Sequence, residues 1–299
     1  MSTRPELRGS GLPQAFGAYA IWGLLPLYLH AVTFVPPLEF VGWRIAVTVP
    51  VCLILAVIAR QGSELRGLLR QPRRLAALAL SAALIGGNWL LYVAAIHDGH
   101  VLAASIGYYI NPLLNVVLGT LFLGERLAPR QWLAVAVAAA GVVVLATAAG
   151  GAVWLSLALA GTFGCYGLVR KLVPVSAITG LTVETLALLP AALAVVGWYA
   201  LQPAGSAIGH GLASDALILA AGPLTAAPLL LFAAAARRLP YATLGFIQFF
   251  SPTLVFIQGL WLFHEPLSRT QLACFVLIWS ACAIYCWDLL LRQRAARGA

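Results

Sequence analysis

Apolar runs of about 20 residues, long enough to cross the hydrocarbon of a bilayer, recur along the whole chain, with short polar or basic segments between them. The pattern predicts spans at Ala15–Thr33, Leu38–Ala59, Leu75–Ile96, Val101–Leu123, Gln131–Ala149, Val153–Val169, Ile178–Leu201, Ala216–Ala236, Tyr241–Phe263 and Thr270–Leu291. Each is expected to be a helix, because an isolated strand cannot satisfy its backbone groups in lipid. The N-terminal stretch is read as an uncleaved first span, since no small-x-small cleavage site follows it.

Two of these runs carry the same interruption. "GYYINPLLNVVLGTLFLGERL" (Gly107 to Leu127) and "IQFFSPTLVFIQGLWLFHEPL" (Ile247 to Leu267) align at a constant offset: 252 − 112 = 140 for proline, 259 − 119 = 140 for glycine, 265 − 125 = 140 for glutamate. Pro50 with Pro190, Leu91 with Leu231, Tyr92 with Phe232 and Gln131 with Gln271 extend the register. The chain is thus expected to be a duplication, one five-span unit at residues 1–147 and a second, with a basic tail, at 148–299. Five is odd, so the second copy enters the membrane from the other side. The result is a pair of inverted repeats, as in secondary transporters whose substrate site lies near the midplane.

Composition agrees with the pattern. The chain is 62% hydrophobic and 9% charged, against roughly 25% charged in soluble domains, which leaves too little polar surface for a soluble protein of this length. The formal charge of +9 does not point to nucleic acid, because the bases sit between apolar runs. Sixteen of the 18 fall on one side (Arg4, Arg8; Arg60, Arg66, Arg70, Arg73, Arg74; Arg126, Arg130; Arg170, Lys171; Arg237, Arg238; Arg292, Arg294, Arg297), leaving Arg269 opposite and Arg44 inside a span. By the positive-inside rule both termini are cytoplasmic. Cys52, Cys165, Cys274, Cys282 and Cys286 have no C-x-x-C spacing and read as free thiols inside apolar runs. No cofactor or metal site is expected; "HDGH" (His97 to His100) reads as a short external turn.

Each half ends in G-x-x-x-x-x-E-x-L-x-x-x-Q (Gly119 to Gln131, Gly259 to Gln271). This five-plus-five plan resembles the EamA repeat of the drug/metabolite transporter superfamily. "LIGGNWLLYVAAI", "GYYINPLLNVVLG", "FLGER", "YGLVRK" and "TLGFIQFFSPTL" resemble its RarD-type, chloramphenicol-sensitivity branch. The resemblance covers essentially the whole chain. It implies an all-α, ten-helix permease of a bacterial-type inner membrane that exports small organic metabolites or drugs, with the bilayer and a small-molecule substrate as partners. It supplies neither the substrate nor a motif of transport residues.

Candidate site residues therefore come from this chain alone. Arg44 and Glu184 are ionisable residues within spans at equivalent repeat positions (184 − 44 = 140), and intramembrane charge is a functional-site hypothesis by default. Arg44 is a candidate anion binder and Glu184 a candidate proton carrier, which makes protons a candidate coupling ion. Snorkelling or structural roles are the alternatives. Their opposite depths mean that a direct ion pair does not follow from their equivalence. Asn88, Trp89 and Tyr92 suit a cavity wall, or else an interhelical contact. Tyr108, Asn111, Asn115, Tyr166 and Gln248 are further cavity candidates, with Tyr19, Trp22, Tyr109, Thr225 and Phe249 behind them. Pro112 and Pro252 remove backbone hydrogen bonds and are expected to form a symmetric pair of helix deformations beside the cavity, useful for gating. Gly161, Gly164 and Gly167 read as a close-packing surface; Glu125 and Glu265 read as helix caps, and Ser268 with Gln271 as a capping box.

A carrier working by alternating access is the leading function. A channel or facilitator is the alternative, although the sequence shows no charged ring suited to a filter; a membrane-embedded enzyme would need convergent reactive groups that these sparse ionisable residues do not supply. No P-loop, G-x-S-x-G or H-E-x-x-H occurs.

Overall fold

The computed structural model describes residues 11–98, 100–147, 153–262 and 268–297. All regular structure among them is helical: α1 (Leu12–Ala31), α2 (Pro37–Ile58), α3 (Gly62–Leu68), α4 (Pro72–His97), α5 (Val101–Phe122), α6 (Pro129–Ala146), α7 (Val153–Leu172), α8 (Ala177–Ala200), α9 (Leu212–Ala236), α10 (Tyr241–Gln248), α11 (Phe250–Trp261) and α12 (Arg269–Arg297). With α10 and α11 forming one crossing, these are ten membrane helices plus α3. Nine described segments combine the length and apolarity of a membrane span. The remaining one, α1, is diluted by Gln14, Tyr19, Tyr28 and His30, yet it packs inside the bundle against α9 and α11. Residues 1–10 with Arg4 and Arg8, Gly99 of the His97–His100 turn, the 147/148 boundary and the Glu265 cap position lie wholly or partly outside the described residues.

Prolines start several helices where a missing N–H costs nothing: Pro37 on α2, Pro72 on α4 and Pro129 on α6. Side chains complete other ends. Ala128 N–H donates to Gln131 Oε1 at 3.0 Å, and Ser268 and Gln271 exchange bonds of 3.0 and 3.1 Å, forming the expected capping box.

Most of the larger helix interfaces come in pairs. α1 packs on α9 and on α10–α11, while α7 packs on α4 and on α5; α2 packs on α9 while α8 packs on α4. α2 meets α8, α5 meets α10, and α6 meets α12. Replacing each helix by the one 140 residues away turns this pattern into itself. Outside, apolar side chains face away from the protein, and five of six exposed tryptophans stand near helix ends, Trp132 and Trp287 toward the basic loops and Trp154, Trp198 and Trp261 at the opposite end, with Trp279 midway along α12. That is the distribution of an interfacial aromatic belt.

One symmetric expectation fails. α5 runs through Pro112 as a single helix, whereas the corresponding crossing breaks at Phe249, three residues before Pro252. At the break, Phe249 N–H turns to Phe246 O, 3.3 Å away, in a tighter three-residue step. Around Pro112 the neighbours are close and polar. Asn111 Nδ2 donates to Ala160 O (3.1 Å), Asn115 Nδ2 donates to Gln248 Oε1 (3.0 Å), and a Cβ on Gly245 would lie 2.6 Å from Pro112 O. Two backbones therefore touch at Pro112; at its counterpart a Cβ on Gly23 would lie 3.0 Å from Ser251 O, so both prolines sit at close helix contacts and the two crossings differ in helix continuity.

Candidate functional site

A cavity of about 220 Å³ lies between α1, α2, α4, α5, α7 and the α10–α11 crossing, with Leu229 of α9 at its edge. Its residues come from the N-terminal halves of α2 and α5, the C-terminal half of α4, the middle and C-terminal part of α1, and the stretch from Gln248 to Val255. They occupy the middle of the bundle and the half farthest from the basic loops.

Of the residues expected from sequence, Arg44, Asn88, Trp89, Tyr92, Tyr108, Asn111, Gln248 and Pro252 are brought together on this wall. Arg44 is held on two sides. Its Nε donates to Thr225 Oγ1 at 2.8 Å, and its guanidinium carbon stands 4.4 Å from the centre of the Trp89 ring, within the range of cation–π attraction. Tyr92 and Tyr108 meet edge to face with ring centres 6.1 Å apart, and Trp22 meets Phe163 in the same way at 5.5 Å. Asn88 lies on the wall, but its Nδ2 is bonded to Leu159 O and to Thr162 Oγ1, both at 2.9 Å. Its amide ties α4 to α7, an interhelical contact.

Four candidates lie off the cavity wall. Asn115 is fully buried behind it and orients Gln248 through their 3.0 Å bond. Tyr166 is fully buried and stacks on Phe232 with ring centres 6.1 Å apart. Glu184, 1% exposed, accepts a 2.6 Å bond from Ser81 Oγ and lies 3.4 Å from an Arg170 terminal nitrogen. Pro112 sits at the α5–α10 contact. The common reason is that each points into an interface between helices rather than toward the space they enclose. Arg170, read from sequence as a loop charge, is 3% exposed and pairs within the protein. Of the second group, Tyr19 and Trp22 line the cavity, Thr225 anchors Arg44, and Tyr109 packs on Phe275.

Toward the basic end the cavity meets a seal. Tyr19, Tyr166, Phe232, Tyr241 and Leu244 are all 0% exposed. Tyr241 Oη donates to Gly164 O at 2.8 Å, and a Cβ on Gly167 would collide with Tyr241 and Phe232, so the small residues of α7 make room for this layer. Gly161, by contrast, has open space beside it. Beneath lies a tier of helix-end bonds. The Glu125 carboxylate accepts from Tyr241 N–H (2.6 Å) and Ala242 N–H (3.0 Å), so it caps α10 across the bundle rather than α6, which follows it. Lys171 Nζ donates to Ala236 O (2.8 Å) and Leu239 O (2.5 Å) at the end of α9. Both contacts fit the charge of the helix end they meet. Farther out, Glu64 and Gln61 receive the N-terminus of α8: Ser176 N–H donates to Glu64 Oε1 at 2.8 Å, and Thr179 Oγ1 donates to Glu64 Oε2 at 2.8 Å and to Gln61 Oε1 at 2.9 Å.

Sequence reasoning passed over Phe163, Ser105, Ser251 and Pro26 on the wall, and Glu39, 1% exposed, which accepts from Trp43, Ser206 and Ala207 at the far end of α2. A glutamate in the first turn of a span was a visible signal for a cap. Nothing local marks Phe163 as lining a cavity.

The first half of the chain, residues 9–147, matches the model of the EamA-like transporter family. The chain is 46% identical to an uncharacterized transporter of Pseudomonas aeruginosa over 271 residues, covering 91% of each. It is 42% identical to Protein RarD of Escherichia coli, covering 95% of this chain and 96% of that one. A crystal structure with 18% identity superposes with a TM-score of 0.72 over 93% of this chain and 97% of its own, a likeness of fold. With relatives this similar over nearly their full length, the chain belongs to the EamA-like transporter family and is a multi-pass membrane transporter of the RarD kind.

Proposed function

We propose that this protein is a secondary carrier of small organic metabolites that works by alternating access, held here with its cavity toward the outside and its cytoplasmic side shut. The observation that carries this reading is the division of the bundle along its axis. The cavity occupies the middle and the half away from the basic loops, while the other half is filled by buried aromatic rings and crossed by the Glu125 and Lys171 helix-end bonds. A channel would need a path through both halves.

In this reading, residues 1–147 and 148–299 are two five-helix units of opposite orientation, a division supported by the 140-residue register and the paired helix interfaces. Rocking of one unit against the other would exchange the closed side. The positive-inside distribution supports taking the sealed, basic end and both termini as cytoplasmic, and the reading sets the protein in a bacterial-type inner membrane. Transport outward from that side is export. The placement of Glu184 against Arg170, away from the wall, favours a structural role within the closed half over proton delivery to the cavity.

Counterflow in proteoliposomes tests the mechanism. Metabolites that accumulate in a deletion strain and are depleted by overexpression identify a labelled probe. Unlabelled probe inside the vesicles should then accelerate uptake of label. Uptake indifferent to the trans side means a pore and ends the carrier reading.

A further inference from the structure

We propose that the cavity takes a small organic anion, with Arg44 binding its carboxylate and the aromatic wall seating its apolar body. This deepens the carrier reading, on which it rests for the step across the membrane. Arg44 is the one charged residue among those lining the cavity. A cation there costs several kcal/mol unless an anion or water compensates it, and four acids within or beside the helices are engaged elsewhere. Glu39 binds Trp43, Ser206 and Ala207; Glu125 caps α10; Glu184 faces Arg170; Asp288 pairs with Arg292 at 2.7 Å.

The way Arg44 is held selects the ligand's charge and shape. Thr225 takes the Nε and Trp89 takes one face of the guanidinium. Its two terminal nitrogens remain as a planar fork, which matches the two oxygens of a carboxylate and is oriented before the ligand arrives. Trp22, Trp89, Tyr92, Tyr108 and Phe163 give the rest of the ligand aromatic faces and edges. The volume of about 220 Å³ falls below the roughly 300–1,000 Å³ of pockets for drug-sized ligands, so the anion is small. A cationic solute meets the Arg44 charge with no cavity-lining carboxylate to offset it.

The test compares three solutes of one shape, hydrocinnamate, hydrocinnamide and phenylpropylamine, by isothermal titration of the full-length protein in detergent. Wild type should bind hydrocinnamate at least roughly tenfold more tightly than the amide or the amine, the scale of a charge-assisted hydrogen-bond pair. Arg44→Gln should bring hydrocinnamate down to the affinity of the amide and leave the amide unchanged, while Arg44→Lys keeps part of the preference. Should Arg44→Gln fail to fold, Thr225→Val, which releases the Nε, should weaken hydrocinnamate severalfold and spare the amide. Equal affinities in wild type, no binding of hydrocinnamate, or a preference that survives loss of the Arg44 fork overturns the proposal. Counterflow of the same solutes separates the two readings. A carboxylate preference in binding without trans-acceleration keeps the anion site and sinks the carrier, whereas equal counterflow of acid and amide keeps the carrier and sinks the anion site.

Discussion

Arg44 and Glu184 occupy equivalent places in the 140-residue register, and their surroundings give them different work. The arginine lines the cavity between Trp89 and Thr225, while the glutamate is enclosed with Ser81 and Arg170. Inverted copies put equivalent positions at opposite depths, so equivalence in sequence does not carry equivalence of environment. Glu64, outside the spans, offers a clean titration. Burial pushes its carboxyl up, but the Ser176 amide and hydroxyl and the Thr179 hydroxyl outweigh it and hold it below its ordinary value. A carboxyl lowered by folding contributes its stability in full above the ordinary carboxylate range and loses it as the pH falls through the lowered value. Glu64→Gln should therefore reduce the melting temperature near neutral pH, by the equivalent of a fraction of a kcal/mol for so exposed a group, and converge on wild type in acid. Thermal unfolding in detergent from about pH 7 to about pH 3 checks this; a gap that stays constant across the range assigns the effect to something other than the charge.

At the scale of elements, the α10–α11 crossing is the one that is interrupted. Pro112 and Pro252 both delete a backbone hydrogen bond, but α5 is pinned at Pro112 by Gly245, Asn111 and Asn115, whereas the break at Phe249 leads directly into Ser251 and Pro252 on the cavity wall. The two prolines stand out in the sequence, but whether the helix continues past each depends on its neighbours. Pro252→Ala restores a donor to the Gln248 carbonyl, worth about 1 kcal/mol of stability. If the break must flex during transport, the same change should slow counterflow by about fivefold with normal insertion. Unchanged turnover in a more stable variant would make the break a matter of packing.

For the whole molecule, the question is what keeps the basic end shut. Glu125 and Lys171 tie loops and helix ends from different parts of the chain, and the aromatic layer above them has no exposed surface. Weakening one tie should shift the population toward the inward-open form. In a cysteine-free background carrying Leu244→Cys, the further change Glu125→Gln should speed labelling by an impermeant maleimide from the basic side; labelling at the parent rate would show that the seal does not depend on this cap. Much of the fold was legible beforehand: the spans followed from run lengths, and the 140-residue offset that suggested two copies is matched by the paired helix contacts. Eight of twelve named candidates share one cavity wall, because polar and aromatic residues in lipid-length runs must face protein or water. The other four answer to the same rule by facing neighbouring helices. The sequence by itself determined that this chain is an all-helical, multi-pass membrane protein and which residues are costly against lipid, since each depends on the transfer energy of a local segment. Only the tertiary structure decided which of those residues enclose a space and which fill one, that Glu125 caps a helix 116 positions away, and that the crossing breaks ahead of Pro252 while α5 continues through Pro112. Those outcomes depend on which helices meet, and helix contacts between distant segments leave no mark in the hydropathy of either one.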